Sequence, residues 1–228
     1  LHIGLSPRRA LSLALIFGSA RIASAEDSRL FSTECLGSKN DLQLIYLHGI
    51  FQGNETHPPI EFRDDLRRLA NELPIRIAVP RSHLLCKRSK DRYCWGDDQP
   101  KTIEEVYSKL LKSVASCFDV KKGFGIIGFS NGGYHATRAA LRCLQPQPKF
   151  VLAVGSSGDS RLAVSPDLSS CAEVHLLIGI KDMTRDGARG FSEAAAKSKL
   201  RVSYATFNGG HTLPMPEVRR FLRDRLGK

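Results

Sequence analysis

The sequence has no C-x-x-C pair and no close-set cluster of cysteines and histidines, which excludes the common zinc-ribbon and zinc-finger sites. It has no internal repeat and no low-complexity tract, so a solenoid is not its plan. Tryptophan occurs once, at Trp95. The apolar stretch near the start, Ala10–Phe17, is too short to cross a bilayer as a permanent helix. Acidic residues are outnumbered, 23 against 34 basic ones, for a net charge of +11. The basic residues are scattered and carry no aromatic-interleaved RNA motif, so a specific nucleic-acid partner is not expected.

What is present begins with a three-part pattern. Arg8 and Arg9 precede the short apolar run, and Ala23-Ser24-Ala25 supplies small residues just before Glu26 and Asp27. This predicts a secretory signal over residues 1–25 and a mature domain over residues 26–228, secreted or periplasmic, without stable membrane insertion. Cleavage would take away Arg8, Arg9 and Arg21 and no acid, so the remainder stays basic. All six cysteines lie beyond the cut, and an even number in an exported chain implies disulfides. Six cysteines allow fifteen pairings; Cys86 and Cys94, flanking a polar loop, are the first expected pair.

From residue 41 onward apolar segments alternate with helical ones. Strands are expected at Leu42–Leu47, Ile75–Val79 (stopped by Pro80), Gly123–Phe129, Phe150–Val154, Val174–Ile180 and Val202–Phe207. Helices are expected at Pro59–Leu73, from Thr102 (an N-cap with Glu105 completing a capping box), and at Gly132–Leu144, Ala188–Lys199 and Pro216–Leu226. Strands apolar on both faces and separated by helices predict one α/β domain with a mostly parallel central sheet covered on both sides.

Ligands of such sheets bind beyond the carboxyl ends of the strands. Ser130 stands there, in Gly128-Phe129-Ser130-Asn131-Gly132, between a strand and a helix. The turn is so tight that side chains at Gly128 or Gly132 would collide with backbone, while the serine is pushed into the cleft. A serine hydroxyl needs a base, a group to hold the base and donors for an oxyanion. His211, after a strand in Gly209-Gly210-His211, is the expected base, and Asp182, just past another strand, the expected acid. Asp159 and Asp186 are the competing acids. The expected oxyanion donors are the backbone N–H groups of Ile50, after His48-Gly49, and of Asn131. His48 is read as a brace for its loop and His135 as packing. No metal or cofactor is required for this chemistry.

Across residues 41–226, through Leu47-His48-Gly49-Ile50-Phe51, Gly128–Gly133, Leu176–Asp182 and Gly209–Pro214, the sequence resembles the α/β-hydrolase superfamily. The order Ser130, Asp182, His211 is the superfamily's order. The resemblance is closest to compact esterases, carboxylesterases and polyester depolymerases, and implies little or no cap domain. Two departures stand out: little chain precedes the first strand, and Met183-Thr184 follow the acid where many relatives have proline.

The implied function is cleavage of carboxylic esters through an acyl-enzyme on Ser130. A serine peptidase or amidase on the same fold is the alternative reading, and a non-catalytic binding protein on a hydrolase scaffold a third. The implied partner is a small-molecule or polymeric ester, with Phe51, Asn54, Trp95 and Asp97 as expected substrate contacts and Asn131 as a further polar contact. The sequence selects neither the ester nor the oligomeric state.

Overall fold

The computed structural model describes residues 31–39, 41–52, 62–87, 89–96, 100–159 and 167–227. The expected signal, residues 1–25, lies outside them. Nine strands occur among the described residues: β1 (Phe31–Leu36), β2 (Leu42–Leu47), β3 (Phe51–Gln52), β4 (Ile75–Ser82), β5 (Arg92–Tyr93), β6 (Gly125–Phe129), β7 (Phe150–Val154), β8 (Glu173–Gly179) and β9 (Val202–Phe207). Five helices join them: α1 (Arg63–Glu72), α2 (Pro100–Val114), α3 (Asn131–Leu141), α4 (Arg185–Lys197) and α5 (Met215–Arg225).

Seven strands form one sheet in the order β1-β4-β2-β6-β7-β8-β9. Only β1 runs antiparallel, against β4; every other pairing in this sheet is parallel. The central strands are apolar on both faces because both faces are covered. In β6, Ile126 packs into the core shared with α2, α3 and α4, whereas its neighbour Ile127 packs into the core shared with α1 and α5. Period-two alternation thus feeds two separate cores from one strand. The fully buried Leu66 and Leu69 anchor α1 to its face, each contributing about 1.5–3 kcal/mol of burial energy. Among the described residues no cap domain stands over the carboxyl edge, and no helix is long and apolar enough to cross a membrane.

Three local expectations need correction. Strand β4 does not stop at Pro80 but runs on to Ser82. It pairs with β2 only through Ala78, while β1 alone continues alongside it, so the missing Pro80 N–H leaves no gap in a two-sided ladder. Thr102 is not an N-cap: α2 already begins at Pro100, where a residue without an N–H suits the first helical turn. Cys86 and Cys94 are free thiols, and the disulfides join Cys35 to Cys117 and Cys143 to Cys171. Leu85 stands opposite Tyr93, so Cys86 faces Arg92 and Cys94 faces Leu84. The two cysteines are therefore diagonal neighbours across the pairing, close enough for Cys94 to act on the Cys86 thiol, yet no bond joins them.

Candidate active site

Three loops at the carboxyl edge bring Ser130, His211 and Asp182 into line. His211 Nε2 lies 3.0 Å from Ser130 Oγ, and His211 Nδ1 lies 2.9 Å from Asp182 Oδ2. A carboxylate only accepts, so Nδ1 carries the proton and Nε2 accepts from the serine hydroxyl. The Asp182 side chain is fully buried, while that of His211 keeps 34% exposure toward the cleft. Burial pushes the Asp182 carboxyl up, but hydrogen bonds from the Thr184 N–H, His211 and the Thr184 hydroxyl outweigh it, and its pKa is lowered overall. The carboxylate form of Asp182 is thus the one favoured beside the imidazole.

The serine owes its position to the turn between β6 and α3. Its backbone sits at φ 52°, ψ −116°, a strained conformation for a non-glycine residue. A side chain at Gly128 would overlap the backbone of Gly132 and Gly133, and one at Gly132 would overlap the carbonyls of Leu47 and His48. Only glycine fits at either place. The loop after β2 runs directly beside Ser130, since a side chain at Gly49 would stand 3.3 Å from Ser130 Cβ. Among the described residues no backbone acceptor takes the N–H of Ile50 or of Asn131.

The profile of the serine hydrolase (FSH1) family matches residues 19–220. The chain belongs to the FSH1 serine hydrolase family. Its fold is that of the α/β-hydrolase esterases. A carboxylesterase from Bacillus cereus superposes with a TM-score of 0.62 at 16% identity, covering 88% of this chain and 97% of that one. A carboxylesterase from Mesorhizobium loti gives 0.61 at 16% identity, covering 84% and 94%. Esterase PE8 gives 0.60 at 18% identity, covering 86% and 99%. No curated protein matches the chain significantly.

Within this FSH1-family serine hydrolase the competing acids are elsewhere. Asp159 forms a buried ion pair with Arg138 at 3.1 Å, and Asp186 pairs on the surface with Arg185. His48 and His135 are buried and neutral, each pushed down to about 4, chiefly by burial. A second Ser–His contact, Ser203 with His175 at 2.6 Å, faces the wrong way for a base. The Arg225 guanidinium can only donate to His175 Nε2, at 2.6 Å, so Nδ1 carries the proton and donates to the serine.

The expected substrate contacts fare differently. Asn54 and Asp97 lie outside the described residues. Phe51 is part of a small two-stranded sheet, stacked on Tyr93 at 5.3 Å and edge-on to His48 at 4.8 Å. Trp95 is not a pocket-lining surface aromatic: it is 1% exposed, and its indole Nε1–H donates to the His48 carbonyl at 2.8 Å. The Asn131 side-chain oxygen is also committed, accepting the Trp95 backbone N–H at 2.9 Å.

Two contributors escape sequence reading. Thr184 donates its N–H and its hydroxyl to Asp182 Oδ1, at 2.8 and 2.9 Å. An acid followed two residues on by threonine is a turn signal that points to this bond. Gly155, at φ 57° after β7, lies where a side chain would come within 3.2 Å of both Asp182 Oδ2 and His211. No local pattern marks that glycine, because its neighbours come from two other strands.

Proposed function

We propose that this serine hydrolase cleaves carboxylic esters through an acyl-enzyme on Ser130, with His211 as general base and acid and Asp182 as its orienting carboxylate. The observation that carries the reading is the continuous chain of hydrogen bonds from the Asp182 carboxylate through His211 to the Ser130 hydroxyl. Ser130 Oγ attacks the ester carbonyl while His211 Nε2 takes its proton, and Asp182 stabilises the imidazolium. The negative oxygen of the tetrahedral intermediate accepts from the Ile50 and Asn131 backbone amides, helped by the N-terminus of α3. His211 then gives its proton to the departing alkoxide. Water attacks the acyl-enzyme with His211 again as base, and release of the carboxylic acid restores Ser130.

The esterase and carboxylesterase neighbours favour an ester over an amide bond. Hydrolysis of a p-nitrophenyl ester by the purified protein, with no comparable turnover of the matching p-nitroanilide, is the expected result. Ser130→Ala is expected to abolish turnover and fluorophosphonate labelling while leaving the circular dichroism spectrum intact. Undiminished turnover in that variant defeats the reading. Work outside the cytoplasm is supported by the leader pattern of residues 1–25 and by the two disulfides. Amino-terminal sequencing of protein recovered from the periplasm or medium is expected to begin at Glu26.

A further inference from the structure

Trp95 joins the two segments that carry the oxyanion amides. Its backbone N–H donates to Asn131 Oδ1 at 2.9 Å, and its indole N–H donates to the His48 carbonyl at 2.8 Å. Asn131 immediately follows Ser130, so holding its side chain restrains the residue whose own N–H is the proposed oxyanion donor. The other bond fixes the peptide plane between His48 and Gly49.

His48 extends the restraint by one more peptide. Its Nε2 accepts the Ser82 backbone N–H at 3.0 Å, so its proton sits on Nδ1 and is donated to the Gly49 carbonyl at 2.6 Å. In a trans peptide the C=O and the following N–H point in opposite directions. Pinning the Gly49 carbonyl on one side therefore aims the Ile50 N–H to the other. The indole is packed on several sides, with ring centroids 4.7 Å from His48, 5.7 Å from Phe31 and 6.2 Å from His135. A residue this buried has no surface to offer a substrate, yet it bonds to both halves of the oxyanion site.

We propose that Trp95 is a positioning residue for acyl transfer, clamping the two amide-bearing loops at a fixed separation through one backbone and one side-chain N–H. The proposal rests on the acyl-enzyme reading above. The energetic logic is that oxyanion donors work only when already aimed at the place where charge develops. A displacement of about 1 Å at such a site can cost about a hundredfold in rate.

Two variants cut the clamp at its opposite ends. Trp95→Phe removes the indole N–H and keeps an aromatic ring; Asn131→Leu removes the acceptor and keeps the Asn131 backbone N–H. Active sites are counted by titration with a fluorophosphonate, so that loss of folded protein is separated from loss of rate. Each variant is expected to lose about tenfold to a hundredfold in kcat per titrated site, with KM changed less than about threefold. Affinity for a boronic acid transition-state analogue is expected to fall in parallel with kcat/KM. If Trp95→Phe does not fold, Asn131→Leu alone carries the test. Wild-type kcat per site and wild-type boronate affinity in the folded variants overturn the role of Trp95 while leaving the acyl-enzyme reading intact. A wild-type protein that neither labels nor hydrolyses esters overturns both.

Discussion

Thr184 holds the oxygen of Asp182 that His211 does not use. Its N–H and hydroxyl both donate to Oδ1, while Oδ2 faces the imidazole. The carboxylate is thus fixed at both ends, by a residue two places along its own chain and by one from a different strand. A self-closing Asp182–Thr184 turn thus ties the carboxylate to its own loop.

Removing the threonine hydroxyl should therefore loosen the acid without deleting it. Thr184→Val keeps the backbone N–H bond to the same oxygen and is expected to lower kcat by roughly threefold to tenfold, the size of one ordinary hydrogen bond. Asp182→Asn, which no longer favours the correct imidazole tautomer, is expected to lose roughly three to four orders of magnitude. Steady-state kinetics on a p-nitrophenyl ester compares the two. Equal rates for Asp182→Asn and the wild type would remove Asp182 from the chemistry.

Acid stability follows from two buried imidazoles. His48 and His135 are each held neutral down to about 4 when folded, against an ordinary value of 6.5. The unfolded chain binds these protons as pH falls below 6.5, and the folded one does not until about 4. Stability is therefore complete above the unfolded value and falls on acidification, by on the order of 1.4 kcal/mol per pH unit for each histidine. Urea unfolding between pH 7 and 4 checks this; His135→Phe is expected to flatten the slope by about half. A pH-independent midpoint contradicts it.

The unbonded cysteines offer a covalent test. Burial, and then the neighbouring Cys94, push the Cys86 thiol up to about 12. Few thiolates exist at neutral pH, so alkylation of the native protein by iodoacetamide is expected to be slow at pH 7 and to quicken as pH rises. Mass spectrometry after unfolding without reductant is expected to find Cys86 and Cys94 alkylated and the other four protected. Opening the Cys35–Cys117 bridge, whose ends are 82 residues apart, by Cys35→Ser is expected to cost about 2–5 kcal/mol.

Asp159 provides the contrast to Asp182. Its buried pair with Arg138 ties the loop after β7 to α3, away from His211. Asp159→Ala takes the paired carboxylate from a buried guanidinium and is expected to cost about 3–5 kcal/mol in stability. Turnover per titrated active site should stay within about threefold of wild type. Thermal denaturation and active-site titration together separate the two effects, and a loss of rate as deep as that of Asp182→Asn would make Asp159 the better acid.

The sequence by itself determined the layering and the places of the main strands along the chain, and it singled out the residues read here as the candidate site. Strands β2, β7 and β9 fall at their expected bounds because uninterrupted apolar runs, and glycines at turns that tolerate nothing else, are local signals. Short-range physics writes such features into neighbouring residues. Tertiary structure decided the rest. The antiparallel edge strand β1, whose pattern alternates only weakly, becomes a strand because β4 has a free side to pair with. The cysteine pairing, the packing of Gly155 against Asp182 and His211, and the burial of Trp95 between two loops depend on residues far away in the chain. Each is a contact between surfaces that exist only once the sheet has formed, so no pattern of near neighbours contains it.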